Sequence, residues 1–328
     1  MKSAIERPHV GRSSAVLPLV RRQHVRSTHV PCSSRFTSLQ PVSHRDVGFP
    51  YSNDFVLEDG RVVDAATVVR LLSPFALEER VQRIDNVIAN RTFSVLPIVE
   101  GLYDMGNLAA VCRTADALGY GAVHCINKRD SKYKASQRTA AGADKWLDIK
   151  LWDSTSDCLA AVKAAGYQVI TTHLSASSVT IQQVDWTRPT AFVLGNEKHG
   201  VSAEAVAAAD ACAVIPMAGM VESFNISVAA ALVMYEAQRQ RLERRGAHAD
   251  LSEEQRVALK AVMLTKTVKE SSSVLSELLS RPPPSWQAGA FRALSRQAEL
   301  YEAAPLAARQ GGSSSSSGGD VARLEAHA

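Results

Sequence analysis

The sequence predicts an α/β protein with one main domain built on a parallel sheet, and two observations lead to that class. Short runs that are apolar throughout alternate with longer segments of helical period between about residues 74 and 245. Strands without a polar face are typical of parallel sheets that helices cover on both faces. A strand followed by a helix, repeated along the chain, therefore indicates a layered α/β domain.

The predicted elements follow one another closely. In chain order they are a helix over 74–89, a strand over 94–99, a helix over 108–118, a strand over 122–126, a helix over 156–165, strands over 168–172 and 190–194, a helix over 203–209, a strand over 212–215 and a long helix over 225–245. Residues 251–279 add one or two helices. Ser252 opens them, and Gln255 stands three residues later, at the spacing of a capping box.

The two ends of the chain differ from this core in composition. Pro282, Pro283 and Pro284 end the helical pattern, and residues 311–319 form a Gly/Ser tract with too little apolar surface to order itself. We therefore divide the chain into five parts: a basic segment over 1–47, a helical extension over 48–93, the main domain over 94–245, C-terminal helices over 246–281 and a low-complexity tail over 282–328.

The basic residues are unevenly distributed. Residues 1–48 hold eight of the 37 Lys and Arg but two of the 33 Asp and Glu, which leaves 29 basic and 31 acidic residues elsewhere. The net charge of +4 is therefore not in itself evidence of nucleic-acid binding. The Arg-, Ser- and His-rich segment 1–47 is typical of a transit peptide, for chloroplast or mitochondrion. The alternative is a disordered basic arm that contacts RNA, in which case we expect a cytoplasmic protein.

Two classes of protein are disfavoured by composition. The five cysteines stand singly, without the paired spacing of zinc or redox motifs, so we expect neither disulfides nor a metal site. The longest apolar run, residues 226–235, is well short of the roughly 20 residues that span a bilayer, so we expect no membrane span.

Polar residues follow several of the predicted strands, and parallel sheets bind ligands at that edge. In the segment GNLAAVCRTADALG, residues 106–119, Asn107 stands just before a helix and Arg113 inside it. A helix cap and a solvated arginine are the simpler interpretation. However, Arg113 has alanines three and four residues away, which places it on a small-residue face and favours contact with a phosphate.

Two further loops have the same character. In FVLGNEKHG, residues 192–200, an apolar strand opens into a polar turn with a glycine at each end, which would let the backbone approach a ligand closely. In IPMAGMVESFNIS, residues 215–227, a long loop leads into an Ala-rich helix, where Ser223 and Asn225 are also natural helix caps.

Together and in this order, the three loops resemble the SpoU branch of the SPOUT RNA methyltransferases over about residues 74–245. The segments 185–190, 215–228 and 235–241 are especially similar to the tRNA-specific TrmH type. The resemblance implies a Rossmann-like sheet with a C-terminal deep trefoil knot, a homodimer, S-adenosylmethionine held in the knot, and methylation of a ribose 2′-oxygen, that of a guanosine in tRNA. It requires no metal.

The resemblance also implies roles for individual residues. Arg113 matches the catalytic arginine and Asn107 its motif partner, Glu197 matches the acid of the second motif, and Ser223 and Asn225 match the polar pair of the third. Positions that line the cofactor match Thr172, Gly195, Ile215, Met217 and Phe224. Positions that contact RNA match Arg239 and Arg241, and also Arg91. TrmH-like proteins often have His before the motif asparagine, where this chain has Gly106, so contacts on the substrate side differ.

Three other functions compete with tRNA methylation. The same core could methylate ribosomal RNA. A non-catalytic knotted RNA-binding protein would be expected to lose Arg113, Glu197 or Asn225, and all three are present. A nicotinamide dehydrogenase needs a glycine-rich phosphate turn after the first strand, and neither residues 101–107 nor residues 119–121 supply the full fingerprint.

Overall fold

The computed structural model describes residues 41–43, 47–101, 105–127, 142–196 and 199–280. The described chain divides into two compact units. The sheet unit comprises the described residues of 95–240, and the flanking unit comprises those of 41–94 and 241–280. Most of the predicted transit peptide, residues 1–40 and 44–46, lies outside the described residues, as do residue 281 and the predicted tail over 282–328.

The strands and helices are numbered here in chain order. The strands are β1 (Pro41–Ser43), β2 (Tyr51–Val56), β3 (Val62–Asp64), β4 (Val95–Glu100), β5 (Ala122–Ile126), β6 (Asp148–Trp152), β7 (Gln168–Thr172), β8 (Val179–Thr180), β9 (Thr190–Leu194) and β10 (Ala211–Val214). The helices are α1 (Ala65–Leu72), α2 (Glu78–Ala89), α3 (Met105–Ala117), α4 (Thr155–Ala164), α5 (Ala203–Ala208), α6 (Ile226–Arg245), α7 (Glu253–Thr267) and α8 (Ser271–Ser280).

The sheet unit contains a seven-stranded sheet in the order β6-β5-β4-β9-β7-β10-β8. Each pair of neighbours is parallel, which confirms the predicted class. Every residue of β4, β5 and β9 is buried, as expected for strands covered on both faces. The carboxyl ends of β4, β9, β7 and β10 therefore lie side by side. We call these four strand ends, with the residues directly after them, the carboxyl edge.

Helix α6 is fixed to the sheet unit by apolar packing and by hydrogen bonds. Ala230, Val233 and Met234 belong to the hydrophobic core of the sheet. The Tyr120 hydroxyl, after α3, donates to the carbonyl oxygen of Met234 at 2.5 Å, and the Gln238 amide donates to the carbonyl oxygen of Leu118 at 3.2 Å. The middle of α6, from Ala230 to Gln238, is thus held against the core of the sheet unit.

The flanking unit combines a small antiparallel sheet, ordered β1-β2-β3, with α1, α2, α7 and α8. Asp64 caps α1 by accepting from the Thr67 N–H. Helix α7 begins with the predicted capping box, in which the side chains and backbone N–H groups of Ser252 and Gln255 pair reciprocally. No helix in the described ranges is long and apolar enough to cross a membrane.

The helix predicted over 74–89 is wrong at its start. Pro74 lies in a 3-10 turn, Ser73–Phe75, and Ala76 has an extended backbone before α2 begins at Glu78. The segment 48–93, expected to be helical, also contains the β2–β3 hairpin, because Leu57 and Arg61 close a tight turn. Strand β1 lies inside the predicted transit segment and pairs with β2.

Candidate functional site

The carboxyl edge gathers four of the five predicted cofactor residues at three adjacent strands. Thr172 ends β7, Gly195 follows β9, and Ile215 and Met217 follow β10. The Thr172 hydroxyl donates to the carbonyl oxygen of Val193 on the neighbouring strand at 3.1 Å. Segments distant in sequence therefore meet at one edge because their strands are neighbours in the sheet.

The turn after β9 closes on itself. Asn196 and Gly200 exchange backbone hydrogen bonds of 3.0 and 2.8 Å, and Gly200 has a φ of +66°. A Cβ at Gly195 would lie 2.0 Å from the carbonyl carbon of Gly200, so the returning backbone excludes any side chain there. Close approach of the turn to itself explains this glycine without a ligand. Glu197 lies outside the described residues.

Sequence reasoning missed the residues that hold this turn to β4. Glu100 ends β4, is 7% exposed, and accepts hydrogen bonds from the backbone N–H and the hydroxyl of Ser202. The Asn196 amide donates to the carbonyl oxygen of Gly101 at 2.5 Å. The sequence offers one sign of this role: Glu100 directly follows a fully apolar run, and a carboxylate buried there must accept hydrogen bonds from nearby donors.

The loop between β10 and α6 exposes apolar side chains. Met217 and Phe224 are 42% and 38% exposed, and Met220 and Val221 are more so. A run of exposed apolar side chains beside strand ends is typical of a binding surface. This chemistry fits an adenosyl group, whose base has apolar faces and whose ribose and amino acid need polar groups such as the Thr172 hydroxyl.

Asn107 and Asn225 meet at the start of two helices. The Asn225 Nδ2 donates to the Asn107 Oδ1 at 3.3 Å, although 118 residues separate them. The Asn225 Oδ1 accepts from the N–H and the hydroxyl of Ser227, which caps α6 as expected. Asn107 is not a cap, because α3 begins earlier, at Met105.

Arg113 projects from α3 with an exposed side chain. Among the residues that the structure describes, it forms neither a hydrogen bond nor an ion pair, and Ser223 is likewise exposed without a hydrogen bond in that part of the chain. The structure thus brings Asn107 and Asn225 into contact, and it leaves Arg113 and Ser223 open to solvent. An exposed arginine side chain of this kind is available for an anion.

The three predicted RNA-contacting arginines have different environments. Arg239 is partly exposed, and Glu236 holds its guanidinium with two hydrogen bonds of 2.9 Å. Arg91 and Arg241 are 0% exposed. Arg241 donates to the carbonyl oxygen of His248 at 2.9 Å and to Asp250 at 2.6 Å. In this structure only Arg239 presents its side chain at a surface.

One buried titratable group lies away from the carboxyl edge. His124 on β5 accepts a hydrogen bond from the Trp152 indole at 3.1 Å through Nδ1. Burial, assisted by the nearby Lys150 charge, lowers the pKa of His124 to about 3. The imidazole is therefore neutral at physiological pH. The described residues contain no cluster of three or more metal-ligating side chains.

The fold and the site define a class: a parallel-sheet α/β protein whose candidate ligand site lies at the carboxyl ends of adjacent strands. Residues 95–235 match the SpoU rRNA methylase family. Over 162 residues, which are 49% of this chain and 70% of the relative, the chain is 41% identical to the Escherichia coli tRNA (guanosine(18)-2′-O)-methyltransferase. Over 203 residues, which are 61% of this chain and 96% of the relative, it is 37% identical to the Aquifex aeolicus protein of that name.

A solved structure gives the same result. The A. aeolicus TrmH/SpoU tRNA modifying enzyme superposes with a TM-score of 0.52 at 36% identity, over 56% of this chain and 95% of that one. The chain belongs to the SpoU methylase family and is TrmH-like.

Proposed function

We propose that the protein transfers a methyl group from S-adenosylmethionine to the 2′-oxygen of a guanosine ribose in tRNA. The observation that carries this proposal is the match to nearly the whole length of a relative named for that reaction. The names of the relatives specify guanosine 18, which we propose as the target.

S-adenosylmethionine, when bound, supplies the methyl group as a sulfonium electrophile. Thr172, Gly195, Ile215, Met217 and Phe224 would hold it, since all five belong to the carboxyl edge or to the loop that leaves it. Gly195 offers backbone groups, and Met217 and Phe224 offer apolar surface that is exposed in the described chain. We further propose that this region forms a trefoil knot. Its support is topological: β10 enters between β7 and β8, which both precede it in the chain.

Arg113 is the proposed catalytic arginine. Its side chain is exposed and makes no polar contact within the described chain, so it can bind a substrate phosphate and polarise the 2′-hydroxyl. A guanidinium is a poor proton acceptor, so the role of Arg113 is electrostatic and it does not act as a free base. Both groups must be aligned for in-line transfer, which makes positioning the main task of the protein.

Asn107, Asn225 and Ser223 are the proposed polar partners of the substrate and cofactor. The contact between Asn107 and Asn225 ties the start of α3 to the start of α6, so the first and third motifs keep a fixed spacing. Glu197 is proposed as a further polar partner on the strength of its motif alone.

Arg239 is the proposed RNA contact. Its side chain is 46% exposed, and the two hydrogen bonds to Glu236 fix its direction, so it can present positive charge to a phosphate at the surface. Arg241 and Arg91 were predicted to do the same, but their burial provides no support for that role.

A homodimer is proposed from an apolar stripe on α6. Val228, Leu232 and Tyr235 are 45%, 37% and 62% exposed, at the spacing that places them on one helix face. A seam of this spacing can pack against its own copy about a two-fold axis. We expect sedimentation to give a dimer for the wild type and a monomer for Leu232→Arg. Leu77→Arg, at an exposed leucine of the flanking unit, is the matched control and should remain dimeric.

The same core could act on ribosomal RNA, and the description of the matched family favours keeping that candidate. The test is transfer of labelled methyl from S-adenosylmethionine to separate pools of tRNA and ribosomal RNA, followed by nucleoside analysis. We expect 2′-O-methylguanosine in tRNA. Label in ribosomal RNA alone would mean that the substrate is ribosomal RNA and not tRNA. Bound cofactor without transfer to either RNA would favour a non-catalytic protein.

Organelle targeting by the basic segment remains a proposal from composition. Residues 1–47 fused to a fluorescent protein should direct it to the chloroplast or the mitochondrion. A fusion that stays diffuse in the cytoplasm would contradict the proposal and favour a basic arm.

A further inference from the structure

Glu100 is a buried carboxylate at the carboxyl edge with no part in the chemistry proposed above. It is the last residue of β4 and is 7% exposed. A carboxylate removed from water is costly unless donors surround it, so its contacts show what it stabilises.

Its oxygens accept three hydrogen bonds from two segments. The Ser202 N–H donates to Oε2 at 2.8 Å, and the Ser202 hydroxyl donates to Oε1 at 2.7 Å. The Thr155 hydroxyl, in the first turn of α4, donates to Oε1 at 2.5 Å. Ser202 is also the N-cap of α5, since its hydroxyl oxygen accepts from the Ala205 N–H. Glu100 therefore fixes the point where the turn after β9 enters α5.

Asn196 fixes the other end of that turn to the same place. Its amide donates to the carbonyl oxygen of Gly101, and its Oδ1 accepts from the His199 N–H at 3.2 Å. Asn196 is 8% exposed. Both ends of the turn are thus attached to residues 100 and 101 at the end of β4, and Gly195 lies directly before Asn196.

We propose that Glu100 is a positioning residue for S-adenosylmethionine: it holds the turn after β9, and so keeps Gly195 in the position that the cofactor requires. This role rests on the function proposed above. Two of the three hydrogen bonds reach the turn, whereas the bond from Thr155 reaches only α4. Removing the bonds to the turn should therefore affect cofactor binding, whereas removing the bond to α4 should affect only the stability of the fold.

The test compares three variants by calorimetric titration with S-adenosylmethionine and by kinetics with tRNA. In Glu100→Ala the Ser202 N–H loses its acceptor, and we expect the Kd for S-adenosylmethionine to rise about tenfold. We expect the KM for S-adenosylmethionine to rise by a larger factor than the factor by which kcat at saturating cofactor falls. Thr155→Val removes one hydrogen bond from the same carboxylate without releasing the turn, so its Kd should stay within about twofold of wild type.

Glu100→Gln is the conservative variant. Its amide oxygen can still accept from the Ser202 N–H while the hydroxyls reorient to accept from the amide nitrogen, so we expect most of the affinity to return. If Glu100→Ala does not fold, Ser202→Ala replaces it: this variant loses the hydroxyl bond to Glu100 and keeps the N–H bond, so we expect a smaller rise in Kd, about threefold. Its matched control is Ser154→Ala, which removes the cap of α4 and leaves the turn attached.

The outcomes are distinct. A wild-type Kd in Glu100→Ala, or an equal rise in Thr155→Val, would overturn the positioning role. A wild-type protein that binds no S-adenosylmethionine would instead overturn the proposed function. Thermal unfolding of every variant reports loss of stability separately from loss of affinity.

Discussion

Two groups of polar side chains in this protein have opposite environments: the motif residues Arg113 and Ser223 in the sheet unit, and the buried network around Arg241 in the flanking unit. Arg113 and Ser223 are exposed, and within the described chain neither makes a hydrogen bond. In the flanking unit, Arg241 is 0% exposed and bonds Asp250, which also accepts from the hydroxyls of Thr92 and Ser94.

Arg113 and Arg241 were both predicted to be functional arginines, yet only Arg113 has a side chain that can meet an external anion in this structure. Burying a charged side chain costs free energy unless internal partners replace the water that it loses. Those partners then take up its hydrogen bonds, so the side chain is not available to an external ligand. The difference teaches that a motif match identifies a position, while burial decides whether the side chain serves the ligand or the fold.

The largest expected effect is on the free energy of unfolding, when the buried network around Arg241 loses a partner. Asp250→Ala leaves the buried Arg241 without its carboxylate, and we expect the free energy of unfolding to fall by about 3–5 kcal/mol. Urea denaturation measures it. Asp85→Ala breaks the more exposed pair with Lys260 and should cost less than about 1 kcal/mol. Equal losses in the two variants would remove the distinction between the network and the surface.

Arg113→Ala should show the reverse pattern. We expect turnover to fall by about 100-fold or more, as for loss of a charged group that acts in the transition state. The free energy of unfolding should change by less than about 0.5 kcal/mol, because the side chain is exposed. Single-turnover methyl transfer measures the first quantity, and Arg70→Ala on α1 is the control. Retained turnover would remove Arg113 from the mechanism.

The pH dependence of stability tests a buried group that is neither catalytic nor charged. Since burial lowers the pKa of His124 from 6.5 to about 3, the unfolded chain binds a proton in that range and the folded chain does not. Stability should therefore fall with decreasing pH between these values, by up to about 1.4 kcal/mol per pH unit. His124→Gln should flatten this slope in urea titrations. An unchanged slope would show that other groups cause the acid sensitivity.

The smallest effect concerns Arg239. Arg239→Ala should raise KM for tRNA several-fold and reduce the slope of log affinity against log salt by about 0.7–0.9, the value for one phosphate contact. Filter binding at several salt concentrations measures it. An unchanged salt slope would show that Arg239 does not contact a phosphate of the RNA.

Much of the sheet unit followed from apolar periodicity. Strands 122–126, 168–172 and 190–194 were predicted at their observed bounds, because buried parallel strands are apolar at every position. Strand β6 was missed because Asp148 and Lys150 interrupt its pattern, and β8 because it has only two residues. The β2–β3 hairpin was missed because Asn53 and Asp54 are unfavourable in strands.

The site was predictable in its parts and not in its arrangement. The resemblance of the three loops to the SpoU family indicated Asn107, Arg113 and Asn225, but the contact between Asn107 and Asn225 depends on strand order, which no local pattern encodes. Periodicity likewise gave no sign that Arg241 is buried. It stands next to a run of exposed residues, 242–247, at the end of a helix. Glu100 was overlooked because its partners lie 55 and 102 residues away.

The most direct test of the proposed reaction uses a tRNA transcript in which the guanosine at position 18, the one named in the relatives, carries a 2′-deoxyribose. The matched control is the unmodified transcript of the same sequence, and both transcripts are assayed with labelled S-adenosylmethionine. We expect methyl transfer to the control and none to the deoxy transcript, since the accepting oxygen is absent. Equal transfer to both transcripts would contradict 2′-O-methylation of that nucleotide.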